Sequence, residues 1–325
     1  MKYRAPAWLP GGQLQTIWPA LYARRHEAAK PSFKRERWAS PDNDFVDVDF
    51  SEHPAKHGAP QLVLFHGLEG SSQSHYALAF ADWARQKGMP YAVPHFRGCS
   101  GEINRAPRAY HSGDFQEIDW LLRRVKKREP QRKLIAVGVS LGGNALMRWA
   151  QEMGAGASSI ASAVASVCSP LDLAAAGHAI GTGLNRQIYT PMFLRTMKPK
   201  AMERLALHPH LFDAKALQGS RDLYEFDNIF TAPLHGFKNT EDYWARASAK
   251  PRMAEIQIPA LALNARNDPF MPASSLPQHG HVGKHVTLWQ PEQGGHTCFP
   301  SGAFPSHVLA MPQAVGQWLL DHSSA

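Results

Sequence analysis

Ser140 stands in Gly138-Val139-Ser140-Leu141-Gly142, a G-x-S-x-G pattern. The chemistry of such a pattern is nucleophilic attack by a serine lifted out of a sharp strand-to-helix turn. Glycines at 138 and 142 suit the turn, because side chains there would crowd the backbone while Ser140 takes a strained conformation. The helix that follows offers free N–H groups to developing negative charge. An alcohol is a weak nucleophile and needs a base, which in turn needs an orienting acid. Around such an elbow the chain order is Ser, then Asp or Glu, then His. Asp268, in LALNARNDPFMP, lies just past an apolar run and is the acid that fits. His296, in PEQGGHTCF, is the base that fits, with Gly294 and Gly295 freeing its loop. Asp213, Asp222 and Asp227 are set aside because they do not follow a strand. Oxyanion donors are expected at the backbone N–H of Leu141 and, from the early loop His66-Gly67-Leu68-Glu69-Gly70, at that of Leu68. His66 and Gly67 read as supports of that loop rather than as proton carriers.

These residues need a scaffold, and the sequence pattern supplies one. Phe33–Ala39 and Phe45–Phe50 read as strands joined by a polar turn at Pro41-Asp42-Asn43-Asp44. Further strands are expected at Gln61–Phe65, Tyr91–Phe96, Lys133–Val139, Ser162–Cys168, Pro259–Ala265 and His285–Trp289. Helices are expected at Ser74–Lys87, Asp114–Arg128, Leu141–Met153 and Pro305–His322. This alternation implies an α/β fold: a mostly parallel central sheet with helices on both faces. Between about 171 and 250 the alternation lapses into an aromatic-rich, partly helical stretch. Such an insertion reads as a cap over the carboxyl ends of the strands, where open α/β sheets bind ligands.

Composition narrows the partners. The 325 residues carry a net charge of +8, 17 histidines and three cysteines. Three cysteines argue against a disulfide framework. MKYRAPAWLPGGQ has no apolar run, so no secretory leader is expected, and no stretch reads as a membrane span. A cytoplasmic location follows as the expectation. The densest basic run, Arg123-Arg124 with Lys126-Lys127-Arg128, reads as the solvated end of an amphipathic helix. No nucleic-acid-binding pattern is present, so no specific nucleic acid is expected. Charge alone leaves room for peripheral contact with an anionic lipid surface. His208 with His210, and His279 with His281, could chelate a metal, but no zinc signature is present and neither metal nor cofactor is expected.

Taken together, these motifs resemble the YheT-type (AB hydrolase 4) branch of the α/β-hydrolase superfamily. The resemblance runs through PAWLPGGQLQTIWP, HGLEGSSQSHY, HFRGCSGEINRAPRAYHSG, GVSLGGN, TAPLHGF, NDPFMP and GGHTCF. It implies one α/β-hydrolase domain over 1–325, with a core of 1–170 and 251–325 and a cap of about 171–250. It also implies a serine carboxylester hydrolase with Ser140, Asp268 and His296 as triad, acting on short- to medium-chain or lipid-derived esters. Some relatives pass the acyl group to alcohols, and a binding protein on the same scaffold is the rival from another class. Three residues depart from the family pattern. Gln13 stands where a histidine is usual, Asn267 where a second aspartate is common, and Cys298 where a small residue is usual. The first two could alter the substrate entrance or the local charge. The polar Arg97, Glu102, Asn104 and Arg105 are expected to fix loops rather than to touch substrate.

Overall fold

The computed structural model describes residues 2–323. Its centre is an eight-stranded sheet of β1 (Phe33–Ala39), β2 (Phe45–Ser51), β3 (Gln61–Phe65), β4 (Tyr91–Pro94), β5 (Leu134–Val139), β6 (Ala163–Val167), β7 (Ala260–Leu263) and β8 (Val286–Trp289). The strand order is β1-β2-β4-β3-β5-β6-β7-β8. Pairing is parallel from β4 across to β8, whereas β2 runs antiparallel to both its neighbours. The central strands are apolar throughout, LIAVGV in β5 and AVASV in β6, because both faces are covered. One face carries α2 (His75–Lys87) and α11 (Ala310–His322), with Trp83, Met311 and Val315 in its core. The other carries α3 (Phe115–Arg128) and α4 (Leu141–Met153), with Ile118, Leu122, Leu146 and Trp149.

Strand register sets the site. The chain leaves β3 toward β4 on one side and returns to β5 on the other, so β3 and β5 form the switch point where open sheets hold ligands. Phe65 pairs with Gly138, which brings the loop after β3 beside Ser140. Between β6 and β7 the chain is helical: α5 (Leu173–Ile180), α6 (Gly183–Leu207), the short α7 (Ala214–Gly219), α8 (Leu223–Phe226) and α9 (Ala232–Leu234), then α10 (Thr240–Ala247).

Two differences from the sequence pattern have physical causes. Helix α1 (Gly11–Tyr22) falls where the pattern predicts no element. Its opening glycines and internal Pro19 disfavour a helix by propensity, and burial of Gln15, Thr16 and Pro19 overrides them. The last helix starts at Ala310, not Pro305, because the preceding residues are drawn into bridges of His307 with Ser301 and Arg24. Four of the five cations of the basic run on α3 are engaged locally, Lys126 by the Arg132 carbonyl. Arg123 pairs with Asp119 at 2.7 Å, Arg128 with Glu36 at 2.5 Å, and Arg124 lies over the Trp38 ring at 4.8 Å. Among the described residues no helix is long and apolar enough to cross a membrane.

Candidate active site

Ser140 follows β5 directly and caps α4 with φ 53°, ψ −124°, a backbone region that serine rarely adopts. The close packing that forces this turn can be read from its glycines. A Cβ at Gly142 would lie 2.4 Å from the Phe65 carbonyl oxygen, and one at Gly138 2.4 Å from the Gly142 oxygen. The turn is pinned by the Ser140 N–H, which donates to the Val167 carbonyl at 2.8 Å.

The loops after β7 and β8 bring Asp268 and His296 to this serine. His296 Nε2 lies 3.1 Å from Ser140 Oγ, and His296 Nδ1 lies 2.9 Å from Asp268 Oδ2. The other Asp268 oxygen accepts the Phe270 N–H at 2.8 Å. Both Asp268 and His296 are buried, and the Phe270 ring tilts over the imidazole at 4.2 Å. Asp268 therefore leaves Nδ1 as the protonated nitrogen and Nε2 as the acceptor that faces the hydroxyl.

In the loop after β3, the N–H of Gly67 donates to Tyr76 Oη, that of Glu69 to Tyr110 Oη, and that of Gly70 to the Gly67 carbonyl. The N–H groups of Leu68 and Leu141 have no protein acceptor among the described residues, and both residues line the cavity at Ser140. Gly67 is close-packed on Ser140, since a Cβ there would lie 3.1 Å from Ser140 Cβ. His66 is fully buried and braces the loop. Its Nε2 accepts the Phe96 N–H at 3.0 Å, so Nδ1 carries the proton and donates to the Gly67 carbonyl at 2.8 Å. Burial, then the charge of His95, push its pKa down to about 3, which keeps the ring neutral.

Two contributors were not visible in the sequence pattern. The first is α1. Thr16 Oγ1 accepts the His296 N–H at 2.8 Å, and Gln15 Oε1 accepts from Gly294 N–H and from Asn267 Nδ2. Asn267 Oδ1 in turn accepts the Gly295 N–H at 3.1 Å. Asn267 thus ties the acid loop to the histidine loop. Gln13 meets the insertion, donating to Asn185 Oδ1 at 2.7 Å and accepting from Tyr189 Oη at 2.5 Å. The signal available was the run Gln13, Gln15 and Thr16 in the opening motif, polar residues on a segment otherwise rich in apolar ones. The second contributor is Lys200 of α6, which pairs with Glu69 Oε2 at 2.7 Å. Glu69 has φ 57° and its other oxygen accepts from Tyr110 Oη at 2.9 Å. The residue beside Leu68 is thereby clasped from across the cavity.

The cavity over Ser140 encloses about 140 Å³. Its walls include Ile103, Leu173, Phe193, Met197, Phe226 and Phe230. Asp227 lies in the same wall, where burial pushes its carboxyl up to about 6 while Thr231 and Trp244 donate to it. Arg97, which is also part of the cavity lining, pairs with Asp42 at 2.8 Å, Asp44 at 3.2 Å and Glu117 at 2.6 Å, and Asn104 bonds Gly98 N–H and the Phe45 carbonyl. Glu102 pairs with Arg37, and the Arg105 N–H donates to Asp44, so this polar block does fix loops.

Among the described residues, Cys168, Asp268 and His296 are the group whose ligand atoms lie within 4.8 Å of one another. Asp268 and His296 are spent on each other, and burial together with Asp268 pushes the Cys168 thiol far up. A thiol held protonated is a poor metal ligand. His208 Nε2 is engaged by the Arg105 carbonyl, and His281 Nδ1 accepts the Gln278 N–H.

Comparison with known proteins places this geometry. The family described as "alpha/beta hydrolase fold" matches residues 60–303. YheT of Escherichia coli (strain K12), named a candidate esterase, is 35% identical over 96% of this chain and 91% of its own. The chain belongs to the α/β-hydrolase family, in its YheT-type branch. Other relatives of this hydrolase-family chain include human phospholipase ABHD3, 26% identical over 87% of this chain and 67% of its own. The fold is shared with a Pyrococcus furiosus esterase at TM-score 0.56 and 15% identity, over 90% of this chain and 94% of that one.

Proposed function

We propose that the protein is a serine carboxylester hydrolase that works through an acyl-Ser140 intermediate. The observation that carries this reading is the hydrogen-bond chain Ser140 Oγ, His296 Nε2 and Nδ1, Asp268 Oδ2, at 3.1 and 2.9 Å. Ser140 Oγ attacks the ester carbonyl carbon as His296 Nε2 takes its proton. The resulting oxyanion is held by the N–H groups of Leu68 and Leu141, each worth about 3 kcal/mol at the transition state. His296 returns the proton to the alcohol oxygen as the C–O bond breaks, and water repeats the sequence to release the acid. Asp268 keeps the imidazole in the required tautomer and stabilises its protonated form. The segment of about 171–250 acts as the cap, and the largely apolar wall it contributes suits short- to medium-chain or lipid-derived acyl groups.

The relatives support ester chemistry. A Saccharomyces cerevisiae monoacylglycerol lipase is 28% identical over 81% of this chain and 58% of its own. A second reading, acyl transfer to an alcohol, is favoured by one relative from the same yeast. It is named a medium-chain fatty acid ethyl ester synthase/esterase and is 28% identical over 74% of this chain and 58% of its own. The same residues serve both outcomes, because water and alcohol compete for one acyl-enzyme. The test is Ser140→Ala against p-nitrophenyl esters of increasing chain length, with added ethanol to count ester against acid product. Turnover should vanish in the variant, along with labelling by a fluorophosphonate probe. Retained turnover would overturn the assignment.

A further inference from the structure

The outer faces of α1 and α6 are apolar and uncovered. On α6, Leu184, Ile188 and Met192 recur every four residues and are 56%, 37% and 53% exposed. On α1, Leu14, Leu21 and Tyr22 are 47%, 60% and 60% exposed. Trp18 joins Tyr22 to Phe304, itself 71% exposed, with ring centroids 4.6 and 5.5 Å apart. The two helices meet where Gln13 bonds Asn185 and Tyr189, so both stripes flank one junction. The inner face of α6 is already spent. Tyr189 packs on Phe270 at 4.5 Å, and Phe193 lines the Ser140 cavity. A helix apolar on two faces needs a cover on each.

Charge identifies the cover. Residues 2–30 hold Lys2, Arg4, Arg24, Arg25 and Lys30 against Glu27 alone, a net +4. Helix α6 holds Arg186, Arg195, Lys198, Lys200 and Arg204 against Glu203 alone, also +4. The whole chain carries +8, so everything outside these two segments sums to zero. Lys200 and Arg204 face inward, to Glu69 and to the carbonyls of residues 106 to 108, and Arg186 leans on Asp222 at 3.8 Å. Lys198 bonds the Gln218 and Ser220 carbonyls and Arg25 that of Ala20, while Arg195 stands three residues past Met192 on α6 and Arg24 two residues past Tyr22 at the end of α1.

We propose that the α1–α6 face docks on an anionic lipid surface, with the outer wall of the Ser140 cavity laid against the membrane. Leucine, isoleucine and methionine side chains enter the acyl boundary, as on an interfacial helix. Tryptophan and tyrosine rings suit the headgroup level. Arginine and lysine stems run along the apolar surface and present their charges to anionic headgroups. A second copy of this chain is the poorer occupant, because a symmetric contact would set two strongly basic faces against each other. This inference does not depend on ester hydrolysis, since binding is read without turnover.

The test is flotation of the full chain with vesicles of phosphatidylcholine, alone or mixed with phosphatidylglycerol, at low and high salt. The chain should float with the mixed vesicles at low salt, at least about tenfold more than with phosphatidylcholine alone, and lose most of that binding at high salt. Ile188→Asp combined with Met192→Asp should cut partitioning at least about tenfold, by placing charges where methylenes insert. Arg195→Gln should cut it about fivefold and flatten the salt dependence. Both variants should keep wild-type turnover of a soluble ester. If the aspartate pair loses turnover and therefore its fold, Arg195→Gln decides. Absence of flotation with mixed vesicles at low salt would overturn the proposal. So would undiminished binding by the variants, or a wild-type dimer in sedimentation that the aspartate pair abolishes.

Discussion

Replacing Asp268 by asparagine preserves its shape and removes one acceptor. The carboxylate uses both oxygens: Oδ1 accepts the Phe270 N–H at 2.8 Å and Oδ2 faces His296 Nδ1 at 2.9 Å. An amide has a single oxygen. If that oxygen stays on Phe270, the NH₂ faces Nδ1, which must then accept. The ring proton moves to Nε2, the atom 3.1 Å from Ser140 Oγ, and the base is lost. If the amide flips instead, its NH₂ opposes the Phe270 N–H. Asp268 is only 5% exposed, so no solvent relieves that conflict, which costs about 1–3 kcal/mol. The imidazole has a second tautomer available, whereas the Phe270 N–H has no alternative, so the ring yields. The expected result is a fall in kcat of about 10⁴, the size seen when a triad acid becomes an amide. That corresponds to about 5.5 kcal/mol in the barrier. KM should change little, since neither Asp268 nor His296 lines the cavity. Steady-state hydrolysis of a p-nitrophenyl ester measures kcat and KM, with thermal unfolding as the control for fold. A variant within about tenfold of wild type would refute the assigned tautomer and with it the role of Asp268.

Other outcomes follow from the same geometry. Thr16→Val leaves the buried His296 N–H without its acceptor, so it should cost about 1–3 kcal/mol in urea unfolding and lower kcat, while Thr16→Ser preserves both. Lys200→Met releases Glu69 beside the Leu68 donor and should lower kcat about tenfold with Lys200→Arg restoring it; an unchanged kcat would detach the clasp from the oxyanion loop. Stability should fall steeply between pH 4.5 and 3. Burial holds His66, His75 and His111 at pKa about 3, below the ordinary 6.5, so in this range only the unfolded chain protonates them. Each contributes a stability that rises with pH by about 1.4 kcal/mol per unit. Glu117 and Asp227, raised to about 7 and 6, work in the opposite sense only above their ordinary 4.5 and 3.8. Urea unfolding midpoints across this range check the slope, and a flat profile contradicts it.

The features that were legible in the sequence are those encoded locally. The Ser140 elbow needs a strand, two glycines and a helix within a few residues, and each leaves a local mark. Asp268 and His296 were reachable because each follows an apolar strand, and the structure brings them within hydrogen-bond reach of one another and His296 within reach of Ser140. Helix α1 left no such mark. Its stability comes from Gln15 and Thr16 bonding loops more than 250 residues away, and its own glycines and proline point the other way. The Lys200–Glu69 clasp was hidden for a related reason. Nothing near Lys200 in sequence says which loop α6 will lie across. The end of β4 differs from the pattern because burial continues past the ladder, where His95 bonds Asp49 and Phe96 packs in the core.

The bond from Thr16 to His296 spans 280 residues of chain. On a ribosome, the segment that bonds the His296 N–H emerges 280 residues ahead of the histidine itself. Until His296 has been made, α1 has no histidine loop to hold. On the proposed mechanism, activity should arrive only once residue 296 has been added and its loop has docked on α1. A chain cut short before residue 296 would carry the serine elbow complete yet remain inert.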